Sequence, residues 1–94
     1  MMVKNSEMLK LRRGLNAAGV NWRDESEDKY GMHFERTKFI NKYGDDCSVI
    51  FIEGCSYGWQ AGLLESMPPL DRDPDYYDEV QGWLTADEIL AEWV

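Results

Sequence analysis

The sequence has few of the residues from which active sites and covalent scaffolds are usually built. Its 94 residues include one histidine, His33, and two cysteines, Cys47 and Cys55. Two cysteines at this separation do not form the disulfide framework of a small secreted domain, and they do not match the short spacing of structural zinc ligands. We therefore expect free thiols, no cofactor and no metal.

Long apolar runs are also missing. The longest, residues 49–52, has the length of a strand, far below the ~20 apolar residues that a membrane-spanning helix needs. Near the N-terminus, Lys10, Arg12 and Arg13 interrupt any apolar stretch of the kind found in signal peptides. These absences predict a cytoplasmic protein without membrane contact, formed by a single domain over residues 1–94.

Basic residues are almost absent from the second half of the chain. From Tyr43 to the end, Arg72 alone stands against twelve carboxylates, a net charge of −11. Residues 1–42 carry nine basic and six acidic side chains, a net charge of +3, so that the whole chain has −8. Such a surface repels nucleic acid and attracts a basic protein groove. We expect no direct nucleic-acid binding.

The densest acidic stretch is residues 71–79, which interleaves five carboxylates with two tyrosines. Tyrosine costs little conformational entropy when it is fixed, and it both stacks and donates hydrogen bonds, so it suits recognition. Carboxylates along an extended loop imitate a phosphate backbone. The predicted binding residues are Asp71, Asp73, Asp75, Tyr76, Tyr77, Asp78 and Glu79, with Asp45 and Asp46 in support.

Helical periodicity marks both ends of the chain. Apolar residues recur at three- and four-residue spacing after a capping residue, Asn5 or Ser6, and Gly19 stands where a glycine would end this helix. Thr85 and Glu88 have the spacing of a capping box for a closing helix. The sequence therefore predicts one helix at each end.

Between the helices the pattern is that of an antiparallel sheet. Residues 20–23, 32–39, 49–52, 63–67 and 80–84 read as strands, and a polar loop is expected over 24–29. Gly82 suggests a bulge, and the glycines of residues 54–62 permit turns and close backbone approach. The fold class is α+β, with both helices on a sheet of three to five strands. The predicted core is Met8, Leu11, Leu15, Trp22, Phe34, Val49, Phe51, Leu64, Ile89 and Leu90.

The histidine, the cysteines and the acidic stretch also allow chemical roles. His33 paired with Cys47 or Cys55 would make a thiol–histidine dyad, but nothing local in the sequence supports such a pair. The carboxylates of residues 71–79 lack the ligand order of a calcium-binding loop. A structural strand histidine and two small apolar thiols are the favoured interpretation.

Five short motifs follow one another at distances that resemble a known group of proteins. They lie at residues 17–22, 33–37, 48–50, 58–65 and 82–88. Together they resemble small accessory proteins from phages and integrating mobile elements of gut Firmicutes. That group has no assigned catalytic residues to carry over. The resemblance implies a genomic context that includes anti-CRISPR inhibitors, which are commonly small and acidic.

The expected function is therefore that of a non-enzymatic acidic protein that blocks a host nucleic-acid-handling protein, with a Cas effector nuclease as the implied target. Two alternatives remain open: an accessory protein that binds its own element's replication or transfer machinery, and a small thiol- or metal-dependent enzyme. A second copy of the chain is left open as a partner. If the acidic stretch is only a solvated loop, the binding face is to be sought on residues 54–62 or on the outer side of the first helix.

Overall fold

The two ends of the chain are helical, as the sequence predicts. The computed structural model describes residues 3–70 and 80–94 of the chain. In it, α1 spans Ser6–Ala17 and α2 spans Ala86–Trp93. Residues 71–79, which contain seven of the nine predicted binding residues, lie outside the described part.

Each helix begins at a side-chain cap that the sequence contains. The Asn5 side chain accepts a hydrogen bond from the Met8 backbone N–H at 2.8 Å, and Thr85 with Glu88 forms the full capping box at the start of α2. After α1, Gly19 has φ +73°, where a side chain would be strained. The chain therefore turns out of α1 at the predicted glycine.

Within residues 3–70 and 80–94, six antiparallel strands lie between the helices. They are β1 (Trp22–Asp24), β2 (Glu27–Lys29), β3 (Met32–Ile40), β4 (Asp46–Ile52), β5 (Leu64–Met67) and β6 (Gln81–Leu84), with a short 3₁₀ helix at Trp59–Ala61. Their order is β1-β3-β4-β5-β6, and β2 pairs with the part of β3 that β1 leaves free. The α+β class is confirmed, as is the packing of both helices on one sheet.

The additional strand is β2, which occupies a stretch predicted as a polar loop. Glu27, Asp28 and Lys29 pair in register with Phe34, His33 and Met32 of β3. This strand is defined by its backbone pairing alone, because three consecutive charged side chains carry no alternation of apolar and polar residues. The sheet therefore exceeds the predicted three to five strands by one.

The core lies between the helices and one face of the sheet. Of the ten predicted core residues, six are buried, and Trp22, Phe34, Phe51 and Leu90 are half-buried. On β3 the most deeply buried side chains are Glu35, Thr37 and Phe39. Phe34 is less buried than predicted because it lies on the face of β3 that points away from the two helices.

Arg12 joins α1 to the sheet from inside this core. Its guanidinium lies over the Trp22 ring at 4.6 Å, and it donates to the Thr37 hydroxyl at 2.7 Å, to an Asp24 carboxylate oxygen at 3.0 Å and to the Arg36 carbonyl at 3.0 Å. Partial burial acts to raise the pKa of Asp24, but hydrogen bonds from Ser26 and Arg12 outweigh it and lower that pKa to about 2.

The two helices meet at a glycine. A Cβ atom added to Gly14 in α1 would overlap the Leu90 side chain of α2. Glycine in the middle of a helix costs about 1 kcal/mol relative to alanine. The close approach of α1 and α2 accounts for its presence there, since any side chain would push Leu90 out of place.

We therefore expect Gly14→Ala to destabilise the protein by about 1 kcal/mol or more, because overpacking against Leu90 outweighs the gain in helix propensity. In a Leu90→Ala background the same change should instead stabilise by about 1 kcal/mol. Urea unfolding of the four proteins in this double-mutant cycle measures both effects. An equal effect of Gly14→Ala in the two backgrounds would contradict the proposed contact.

Candidate functional site

In the sequence, the acidic segment, residues 71–79, falls between β5 and β6. The backbone N–H of Leu70 donates to the side-chain carbonyl of Gln81 at 2.9 Å, which holds the two flanking positions together. Met67, the last residue of β5, pairs with Ser48 near the start of β4. The ends of the acidic segment are therefore at the same end of the sheet as the turn between β3 and β4.

That turn contains the two described residues of the predicted site. Asp45 closes the turn with Asn41, whose side-chain oxygen accepts from the Asp45 N–H at 2.9 Å. Asp46 begins β4 and lies 3.8 Å from Arg23 and from Lys38. The fold thus brings both residues to the end of the sheet where the acidic segment is attached, and ion pairs within the chain offset part of the Asp46 charge.

A second feature lies towards the other end of β5 and β6: a pair of exposed aromatic side chains, Tyr57 and Trp83, which we call the aromatic pair. Their side chains are 61% and 56% exposed. The Trp83 N–H donates to the Tyr57 carbonyl at 3.2 Å. A Cβ on Gly58 would lie 2.8 Å from the Trp83 nitrogen, and one on Gly82 would overlap Tyr57. The two glycines are therefore what allows these backbones to touch.

The backbone of Trp83 is strained. Its φ is +59°, in the left-handed region that costs a large side chain on the order of 1–3 kcal/mol. The pairing of β5 with β6 shifts register at this point, which matches the bulge predicted at Gly82. Burial does not offset the strain, because the ring is more exposed than covered. Strain of this kind is concentrated at binding and catalytic sites.

The two stretches of chain that contain the aromatic pair carry acidic side chains only. Residues 53–70 and 80–94 contain five carboxylates and no basic side chain. One of them, Glu65, is buried and accepts a hydrogen bond from the Tyr57 N–H at 3.2 Å, so it fixes the backbone from which the Tyr57 ring projects. The only described ion pair that reaches this part of the chain is Lys10 with Asp87 at 2.9 Å.

Small-molecule binding has little support from the cavities of the described part. The cavity beside β5 holds about 140 Å³ and is lined by Ile50, Glu65, Met67 and Val80 among others. This is below the ~300–1,000 Å³ of usual ligand sites. A wider hollow of about 470 Å³ is lined by residues 28–33 of one hairpin alone, and no second element encloses it. An open surface is the more suitable description.

The histidine is engaged on both sides. His33 Nδ1 lies 2.7 Å from an Asp28 carboxylate oxygen and Nε2 lies 3.0 Å from Glu35 Oε2. Glu35 is only 1% exposed and also accepts the backbone N–H groups of Lys4 and Asn5 at 3.2 Å. The Asp28 hydrogen bond is the largest cause of a raised His33 pKa, and the Glu35 charge adds to it against partial burial. The arrangement acts as a clasp between the β2–β3 hairpin and the start of α1.

The cysteines are free thiols and are not paired with this histidine. Cys47 is buried, and burial raises its pKa to about 12, so it is not a nucleophile at neutral pH. Cys47 pairs with Phe39, six residues from His33 along β3, a distance of roughly 20 Å. Cys55 is exposed. Both ring nitrogens of His33 already face carboxylates, which leaves none for a thiol.

Two further results concern the described residues. Within residues 3–70 and 80–94, no group of three or more histidine, cysteine, aspartate or glutamate side chains is arranged to hold a metal ion. Over the same ranges, neither helix has the length and apolar character needed to cross a bilayer.

Comparisons of the chain with protein-family models, with curated proteins and with solved structures find no match. The residues of this chain are therefore the basis for inferring its function. Sequence reasoning missed the aromatic pair, because Tyr57 and Trp83 are 26 positions apart. The available signal was the set of glycines at residues 54–62 and Gly82, which indicated close backbone approach but not which strands would meet.

The clasp predicts a pH dependence of stability. Because the folded-state pKa of His33 is raised above the unfolded value of about 6.5, its contribution is fully present below pH ~6.5 and is lost as the pH rises through the folded value. We expect His33→Gln to abolish this loss, which is at most about 1 kcal/mol for a partly exposed ion pair. Urea unfolding between about pH 5.5 and 8.5 measures it, and an equal slope in the two proteins would refute the clasp.

Proposed function

We propose that this chain is a non-enzymatic acidic binding protein that occupies the basic surface of a nucleic-acid-handling protein. The observation that carries the proposal is the charge of the second half of the chain, on either side of the β5–β6 connection in sequence. It has five carboxylates and no basic side chain in residues 53–70 and 80–94, and the intervening segment adds five carboxylates and one arginine. Under this proposal the protein acts in the cytoplasm.

The geometry of the described residues supports a protein partner. Exposed aromatic, methionine and aliphatic side chains are typical of binding surfaces. Four such side chains are exposed here: Met67 at the end of β5, Val80 just before β6, Trp83 on β6 and Tyr57 in the connection between β4 and β5. A surface that combines large apolar contacts with one sign of charge is suited to fast, salt-sensitive capture of an oppositely charged protein.

Blocking follows from competition for the same groups. A protein that binds nucleic acid offers arginine and lysine side chains to phosphates. Carboxylates that reach those side chains first would exclude the nucleic acid. The resemblance to mobile-element proteins points to a CRISPR effector nuclease as the partner class, and this identification is the finer part of the proposal.

The charge proposal predicts a kinetic effect of the acidic segment. Asp73→Asn with Asp75→Asn should lower the association rate with a guide-loaded Cas nuclease severalfold and change the dissociation rate less, because long-range attraction acts on encounter. Raising the ionic strength from about 50 mM to about 150 mM should also lower the wild-type association rate, because salt shortens the range of the electrostatic attraction. Surface plasmon resonance and target-DNA cleavage measure both.

The matched control is Glu25→Gln with Glu27→Gln. It removes the same two charges from exposed or half-exposed positions at the other side of the sheet, and it should leave the association rate within about twofold of wild type. Equal effects of the two double variants would mean that only total charge matters. Unchanged kinetics for the Asp73/Asp75 variant at low salt would remove the acidic segment from the site.

A further inference from the structure

We propose that the aromatic pair, Tyr57 and Trp83, is the docking point for arginine side chains of a basic partner segment. This inference rests on the proposed function and identifies the contact through which that function would discriminate among cations. In this proposal the two described residues supply the affinity for the partner, and the carboxylates of the second half of the chain supply the long-range attraction.

The backbone that carries the aromatic pair is preorganised for binding. Tyr57 and Trp83 project from backbones that are joined by the hydrogen bond from the Trp83 N–H to the Tyr57 carbonyl. Gly58 and Gly82 make that contact possible, and Glu65 holds the Tyr57 backbone from the other side. A backbone that is already fixed in place loses little entropy on binding, so more of the contact energy appears as affinity.

The conformation of Trp83 is unfavourable for a tryptophan. Trp83 has a left-handed backbone and a mostly exposed ring. Glycine or asparagine would satisfy the same φ at lower cost. A strained and exposed tryptophan therefore works against stability, which is the expected situation for a side chain kept for binding.

The chemistry of the two rings selects the side chain that they would bind. Cations attract the faces of tryptophan and tyrosine rings, and the planar, weakly hydrated guanidinium of arginine stacks on them better than the lysine ammonium does. Residues 53–70 and 80–94 also carry no basic side chain that would repel a cation. Inside the molecule, Arg12 already stacks on Trp22 in this way at 4.6 Å.

The test uses two synthetic peptides of equal length and charge, one of alternating arginine and glycine and one of alternating lysine and glycine. Each is titrated into the ¹⁵N-labelled full chain at low salt, and the indole N–H signals of the four tryptophans are followed. We expect the Trp83 signal to move with the arginine peptide, and the arginine peptide to bind roughly threefold or more tightly than the lysine peptide.

The decisive variant is Trp83→Asn, and its matched control is Tyr30→Asn. Tyr30 is 90% exposed and has φ +54° in the turn between β2 and β3, so both changes remove an exposed ring from a left-handed backbone and neither should lower stability. Trp83→Asn should reduce binding of the arginine peptide to the level of the lysine peptide. Tyr30→Asn should leave it unchanged.

The outcomes separate the two proposals. If both peptides bind equally, and Trp83→Asn has no effect on either, the arginine site is refuted while a charge-driven binding function stands. If neither peptide binds the wild-type chain at low salt, both proposals fail. Equal losses in Trp83→Asn and Tyr30→Asn would also overturn the assignment, because the effect would then not belong to the aromatic pair.

Discussion

A buried carboxylate holds this fold together at the start of α1. Glu35 lies on the central part of β3 and is almost fully buried, and a charge in that position is tolerated only if its oxygens are fully hydrogen-bonded. The Lys4 and Asn5 N–H groups and the His33 ring meet that need. Asn5 in turn caps α1 and donates to the Gly62 carbonyl. The beginning of α1, the β2–β3 hairpin and the approach to β5 are thus all attached to one side chain.

Several other acidic residues also serve the fold. Glu7 accepts the Ala86 N–H at the first turn of α2, Glu65 accepts the Tyr57 N–H, and Glu88 completes the capping box. The high acidic content is therefore of two kinds. One kind consists of glutamates that satisfy backbone donors, and the other is a surplus in the second half of the chain that ion pairs such as Lys10 with Asp87 offset only in part. Only the second kind supports binding.

The helices and the central β3–β4 hairpin could be predicted because their signals are local: apolar spacing, a capping box and a glycine at the end of α1. The prediction of faces on β3 was less successful, since Glu35 and Thr37 are buried by partners in α1 and the segment before it, and such partners do not appear in a hydrophobic pattern. β2 was not predicted for a similar reason, because backbone pairing alone defines it. At the candidate site, the charge was visible in the sequence, and the meeting of Tyr57 with Trp83 was not, because two glycines far apart in the chain create it.

The division of one sheet edge between β1 and β2 has a consequence for self-assembly. Each of these strands is three residues long, and regular pairing is interrupted between them at Glu25 and Ser26, where the Glu25 N–H still donates to the Arg36 carbonyl at 3.1 Å. Charged side chains dominate both strands, and short, interrupted, charged edges are poor templates for an incoming strand. The protein displays exposed aromatic rings at one side of its sheet. At the other side, the edge formed by β1 and β2 opposes fibre growth by strand addition.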